Sequence, residues 1–119
     1  MASTAKPARK NPLKLNGLQL RTLVLAQVIA ADPDLSRHDE ASGETTLLHM
    51  PHPHGDHVHV GRFVVSARDA SGFDNPAVWK VLERKGLARR DDPLTMTLTP
   101  AGLAYDTGLG DNFLSESDH

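Results

Sequence analysis

The stretch that decides the fold runs from Ser66 to Gly102 and reads SARDASGFDNPAVWKVLERKGLARRDDPLTMTLTPAG. Its middle part carries the start and stop signals of a helix. Asn75 followed by Pro76 is typical of an N-cap with proline at the first helical position. Gly86 is typical of the residue just past a helix end. The sequence therefore predicts a helix over residues 77–85.

A shorter helix is predicted just before it. Ser66 and Asp69, three residues apart, have the form of a capping box, in which each side chain accepts a hydrogen bond from the other residue's backbone N–H. Gly72 is a natural end for the helix that Ser66 begins. We therefore expect a short helix, a turn and a longer helix over residues 66–85.

A two-stranded hairpin is predicted behind the second helix. The runs 87–91 and 95–99 flank an Asp-Pro dipeptide at 92–93, which is typical of a turn. In the second run, Met96 and Leu98 alternate with threonine residues, so the strand has one apolar face. That face predicts a hairpin packed on one side against a core.

The order of these elements resembles that of winged-helix regulators of the MarR type. The resemblance is carried by VLERKGLARR at 81–90 and LTPAG at 98–102, which are similar to the end of the recognition helix, the wing and the start of the following helix in that family. It implies a winged-helix fold that binds double-stranded DNA, usually as a homodimer. We therefore expect an α+β fold of the winged helix-turn-helix class.

The second helix and the wing carry the residues expected to contact DNA. The helical spacing places an apolar stripe that begins at Val78 against the core, which leaves basic side chains on the outer face. Lysine and arginine there suit phosphates or guanine edges, and an asparagine at the helix start suits a base edge or a phosphate. The predicted DNA-binding residues are Asn75, Lys80, Arg84, Arg89 and Arg90.

Charge is arranged in blocks along the chain, whose net charge is −2. Residues 1–31 carry five basic side chains and no acidic one, whereas 32–59 carry one against six. Residues 60–90 carry seven basic side chains against three acidic ones, and 91–119 carry none against six. The predicted recognition helix thus lies in a basic block, as phosphate contact favours, but the wing has an acidic tip. The alternative interpretation is that these blocks are solvated faces and tails.

The first helix is predicted to run from Asn16, which forms a capping box with Gln19, to about Ala31, where Asp32-Pro33 stops it. At helical spacing its apolar residues fall on two nearly opposite sides. One side suits the domain core. The other predicts a partner, which is either another part of this chain or a second subunit.

The sequence also predicts the domain limits. Residues 1–14 are expected to be a disordered basic tail, 15–108 the winged-helix domain, and 109–119 a disordered acidic tail. Residues 33–45 lack a core pattern and are expected to form a loop. A β-hairpin is expected to be inserted at about residues 45–65.

This inserted segment is rich in histidine and reads TTLLHMPHPHGDHVHVGRFVV. A two-residue turn at Gly55-Asp56 would fix the strand register. Because cross-strand partners share a face of the hairpin, the turn would place four imidazoles within reach of one divalent ion such as Zn²⁺. The predicted metal ligands are His52, His54, His57 and His59. Two alternatives remain open: a polar surface cluster without a physiological metal, and a pH sensor.

Residues 52–57 also resemble the His-x-His-x-Asp-His motif of metallo-β-lactamase hydrolases. The resemblance implies that His52 and His54 ligate one zinc ion and that Asp56 and His57 ligate a second. A strand over 58–65 is expected to follow, where that family has a glycine-led helix. The third interpretation is therefore a small metal-binding protein with a metallo-β-lactamase-like motif.

Composition limits the remaining classes. The chain has no cysteine, which excludes disulfides and thiolate metal sites. The longest apolar run, 23–31, is too short to span a bilayer, and we expect a cytoplasmic protein without a membrane partner. No nucleophile–base pair, phosphate loop or carboxylate dyad is apparent, so we expect no enzyme. The leading hypothesis is a small DNA-binding transcriptional regulator, with the histidine-rich hairpin as a candidate sensor of metal or pH. The alternative is a non-enzymatic interaction or dimerisation module on the same fold.

Overall fold

The computed structural model describes residues 11–48, 55–60, 63–92, 95–109 and 115–116, and within them the chain has an α+β fold of three α-helices and two antiparallel sheets. In chain order the elements are α1 (Gly17–Ala30), β1 (Ser36–Asp39), β2 (Glu44–Leu47), β3 (His57–Val60), β4 (Phe63–Ser66), a 3₁₀ helix (Ser71–Asp74), α2 (Pro76–Arg84), β5 (Ala88–Asp92), β6 (Thr95–Leu98), α3 (Pro100–Ala104) and β7 (Ser115–Glu116).

Helix α1 lies at the centre of the domain. It begins at the predicted capping box, in which Asn16 accepts the Gln19 N–H at 2.8 Å and Gln19 accepts the Asn16 N–H at 2.9 Å. The 3₁₀ helix and α2 pack against it, and so do strands of both sheets and α3. Leu23, Leu25 and Ile29 are therefore almost completely buried. Both apolar sides of α1 are covered within the chain, so neither needs a second subunit.

The larger sheet has the strand order β1-β2-β6-β5. Its inner face packs on α1 and contains Leu47, Met96 and Leu98, which are buried. Strand β1 lies in the region 33–45, so the prediction of a loop there was wrong. Strand β1 is polar and has one buried residue, Ser36, so its sequence shows no apolar alternation. It forms a strand because it pairs with β2.

The smaller sheet has the order β3-β4-β7, with Val58 opposite Val65 and Val60 opposite Phe63. The chain therefore reverses after Val60, and the predicted continuous strand over 58–65 was wrong. The partner strand that was predicted before Gly55 lies outside the described residues, so the expected Gly55-Asp56 hairpin stays a prediction. No helix in the described ranges is long and apolar enough to cross a bilayer.

Both ends of α2 lie within one residue of their predicted positions, because each end is marked by a local signal. The Asn75 side chain accepts the Ala77 N–H at 3.0 Å. At the other end Gly86 has φ = +80°, and the N–H groups of Gly86 and Leu87 donate to the carbonyls of Glu83 and Leu82 at 3.0 and 2.9 Å. These are the two hydrogen bonds of a Schellman motif, which turns the chain directly into β5.

The segment before α2 differs from its prediction. Ser66 Oγ accepts the Asp69 N–H at 3.2 Å, as in the expected cap, but the backbone then forms a turn and a 3₁₀ helix that continues through Gly72. A β-carbon on Gly72 would lie 1.8 Å from Thr22 Oγ1. Gly72 is therefore needed for close contact with α1 and does not end the helix.

Some contacts of the domain involve residues that were predicted to lie in the two tails. Tyr105 Oη donates to Asn11 Oδ1 at 2.6 Å and accepts the Leu13 N–H at 3.1 Å, so Asn11 and Leu13 contact the domain although they were predicted to lie in the basic tail. In the acidic tail, β7 pairs with β4. Helix α3 begins within the segment LTPAG, where the resemblance predicted a helix start, and the Thr99 side chain caps it by accepting the Gly102 N–H.

Candidate nucleic-acid interface

Helix α2 is held by its apolar face. Val78, Trp79 and Leu82 are buried. The indole N–H of Trp79 donates to the backbone carbonyl of Phe73 at 3.1 Å. The ring centroids of Trp79 and Phe73 lie 5.9 Å apart. A buried aromatic side chain with its polar atom satisfied fixes the rotation of the helix about its axis. The outer face of α2 is therefore presented in one orientation.

That outer face carries two predicted DNA-binding residues. Lys80 and Arg84 are exposed and four residues apart, so their side chains lie one above the other on the same side of the helix. Ala77 lies one turn before and is also exposed. Within the described part of the chain, neither Lys80 nor Arg84 makes an ion pair. The outer face of α2 thus begins with the small side chain of Ala77 and continues with two cations.

Asn75 is partly committed to structure. Its Oδ1 caps α2, and its side chain is half-buried. Only the Nδ2 amide is left to donate to a phosphate or a base edge. Its first role is therefore to begin the helix that carries Lys80 and Arg84.

Arg89 makes an ion pair across the larger sheet. Its Nε and Nη2 donate to Oε2 and Oε1 of Glu44 at 3.2 and 2.5 Å. This bidentate geometry favours the charged carboxylate and lowers the pKa of Glu44 from its usual value, the hydrogen bond from Arg89 being the main cause. Sequence reasoning missed Glu44 because it lies in a segment that was expected to be a loop. No local pattern links residues on strands that are separated by β6.

Arg90 also lies near a carboxylate. Its Nε is 3.8 Å from Glu83 Oε2, across the junction between α2 and β5. This distance exceeds that of a hydrogen bond, so the contact is a looser ion pair than that of Arg89. Both predicted wing arginines therefore have an acidic neighbour in the folded chain.

The described half of the histidine cluster lies on one face of β3. His57 and His59 alternate with the buried residues Val58 and Val60, and their rings are 5.1 Å apart, edge to face. Asp56 Oδ1 lies 3.3 Å from His57 Nδ1. His52 and His54 lie outside the described residues, so the predicted four-histidine site stays a prediction. Among those described, no group of three or more metal-ligating side chains occurs.

Comparison of the chain with known protein families, with curated proteins and with solved structures found no match.

Proposed function

We propose that the protein is a winged-helix DNA-binding regulator that inserts α2 into the major groove of duplex DNA. The element order supports a winged helix with inserted strands: α1 is followed by β1 to β4, and then by the 3₁₀ helix, α2 and the β5–β6 hairpin. Strand β2 pairs with β6, which joins the β5–β6 hairpin to the β1–β2 pair between α1 and α2. In such an arrangement the helix before the hairpin is the one that enters a groove.

The observation that carries this proposal is the outer face of α2. Lys80 and Arg84 are exposed on one side of a helix whose opposite side is anchored by Trp79. Cations without ion-pair partners among the described residues can neutralise phosphates without first losing an internal contact. Arg84 lies in the last turn of α2, where the helix dipole favours a cation even when no DNA is bound.

Duplex-binding measurements at several salt concentrations test the proposal. Lys80→Ala and Arg84→Ala should each weaken binding and each reduce the slope of log K against log salt by about 1. Arg37→Ala is the matched control, since Arg37 is exposed on β1, at the opposite edge of the larger sheet from β5. Equal losses in all three variants would indicate non-specific attraction by net charge and would count against the proposal.

A second candidate is favoured by the ion pairs of the hairpin. Because Arg89 and Arg90 face Glu44 and Glu83, the fold also suits an interaction module that does not bind DNA. Such a module predicts no duplex binding even at low salt, where electrostatic attraction is strongest.

Homodimer formation stays a prediction under both candidates. Sedimentation of the protein in solution measures its oligomeric state and checks this prediction.

A further inference from the structure

The first turn of α2 holds one hydrogen-bond donor and one methyl group close together. Asn75 Oδ1 accepts the Ala77 N–H at 3.0 Å, and this bond fixes the side-chain amide of Asn75 at the start of the helix. Its Nδ2 is left to donate. Ala77 is exposed and lies one turn before Lys80 on the outer face. The amide nitrogen and the methyl group are therefore presented by the same turn.

The charges along α2 favour a base edge at this turn and phosphates further on. Asp74 is exposed and directly precedes Asn75, so its carboxylate repels a phosphate at the start of the helix. Lys80 and Arg84 attract phosphates towards the other end. When a recognition helix lies in the major groove, its N-terminal residues contact the base edges. The first turn of α2 is thus the part of the proposed site that suits sequence reading.

Thymine is the base whose major-groove edge matches this pair of groups. It presents the O4 acceptor next to the C5 methyl group. Cytosine and adenine each present an amino group, which would meet a second donor or be buried against a methyl group without an acceptor. Guanine presents two acceptors, and only one donor is available. Asparagine usually selects adenine through both amide atoms, but Oδ1 of Asn75 is engaged in capping α2.

We propose that the first turn of α2 selects a thymine, with Asn75 Nδ2 donating to O4 and the Ala77 methyl group packing against the C5 methyl group. This inference rests on the proposed function and specifies that the site reads an A·T base pair. Neither contact neutralises a phosphate. The two contacts therefore add a sequence preference and leave unchanged the salt dependence that Lys80 and Arg84 provide.

Replacement of thymine by uracil tests the methyl contact, because it removes the C5 methyl group and keeps O4. The probe is a fluorescently labelled duplex that the wild-type full chain selects from a random-sequence pool, with each thymine replaced in turn by uracil. At one thymine the replacement should weaken wild-type binding, read by anisotropy, about fourfold, the factor for burying one CH₂ group.

Ala77→Gly should remove this sensitivity to uracil, since it deletes the methyl group that the thymine contacts. Ala101→Gly is the matched control and should behave like the wild type. Ala101 is exposed and follows the proline at the first position of α3, as Ala77 does in α2. Thermal melts show that each variant is folded.

Asn75→Asp tests the hydrogen bond to O4. Aspartate caps a helix as well as asparagine does, but its carboxylate accepts where Nδ2 donates. The probes carry each of the four bases at the thymine position that uracil identifies. The wild type should prefer thymine by about fivefold or more, and Asn75→Asp should prefer cytosine or adenine, whose amino groups donate. A preference is a ratio between probes, so the general weakening by the added negative charge cancels.

The inference is overturned if uracil has no effect at any thymine, or if it weakens wild type and Ala77→Gly equally. It is also overturned if Asn75→Asp keeps the preference for thymine. If the wild type binds all duplexes equally and salt weakens that binding, the proposed function stands and this inference fails. If the wild type binds no duplex at low salt, the proposed function fails and this inference fails with it.

Discussion

A β-carbon on Gly102 would lie 1.9 Å from the carbonyl oxygen of Leu87. The first turn of α3 therefore rests directly on the residue that leads from α2 into β5. The same carbonyl accepts the Thr99 N–H at 3.1 Å, and Thr99 Oγ1 donates to the Gly86 carbonyl at 2.7 Å. The start of α3 thus locks the base of the β5–β6 hairpin against the end of α2.

Gly102→Ala should destabilise the domain. The added methyl meets backbone and not a flexible side chain, so α3 must shift, at a cost of about 1–3 kcal/mol or more. Urea unfolding followed by circular dichroism measures the change in the free energy of unfolding. Gly17→Ala is the control, because the nearest atom to its new methyl would be Nη1 at the end of the Arg21 side chain, at 3.2 Å, and not a backbone atom. Equal stability of the two variants would contradict the close contact at Gly102.

Trp79→Phe should destabilise the domain by about 1–3 kcal/mol, because it leaves the buried carbonyl of Phe73 without its donor. Circular dichroism is the required readout, since Trp79 is the only tryptophan in the chain. Phe73→Leu is the matched variant: it removes the ring contact but keeps the backbone carbonyl and its hydrogen bond. If the two variants behave alike after allowance for volume, the indole hydrogen bond contributes little.

The ion pair of Arg89 with Glu44 predicts a pH dependence of stability. Because the pKa of Glu44 is lower in the folded state than its usual value of 4.5, the pair stabilises the fold above pH 4.5. That contribution is lost as the pH falls through the folded-state pKa. The melting temperature of Glu44→Gln should therefore be below that of the wild type at neutral pH and should approach it in acid. Glu40→Gln should show no such convergence, and a constant offset for Glu44→Gln would contradict the prediction.

The zinc hypothesis predicts a stoichiometric site on the histidine segment. Calorimetry of chelator-treated protein should show a dissociation constant below about 1 μM, and zinc should raise the melting temperature because it binds the native state. His57→Ala with His59→Ala should abolish the site. His38→Ala is the control, since that ring contacts Thr45 Oγ1 at 2.7 Å in the other sheet. Weak heat from more than one zinc ion per chain, or binding retained in the double variant, would leave the histidines as surface polar groups.

Elements marked by local chemistry could be predicted from the sequence. Asn16 with Gln19, Asn75 with Pro76, and Thr99 with Pro100 each begin a helix where expected, because capping involves residues within four positions of one another. The predicted pairing of β5 with β6 was also confirmed, since the apolar alternation of Met96 and Leu98 is a local feature.

Elements that depend on distant partners could not be predicted. In the histidine-rich segment a glycine stands at two positions where a strand could end, residues 55 and 61. Only the pairing of Val58 with Val65 shows that the chain reverses after Val60. Strand β1 depends on β2 in the same way. At the candidate site, Lys80 and Arg84 followed from helical spacing, whereas the pair of Arg89 with Glu44 joins residues 45 positions apart.

The measurement that tests the central claim most directly is the salt-dependent binding of duplex DNA by the wild type and by the Lys80→Ala/Arg84→Ala variant. The account predicts wild-type binding that weakens with salt with a slope of about −2, and a slope near zero with little residual affinity in the variant. Unchanged thermal melts would show that the variant is folded. Wild-type protein that binds no duplex at low salt, or a variant that binds as tightly as the wild type, would contradict the assignment of α2 as the DNA-contacting element.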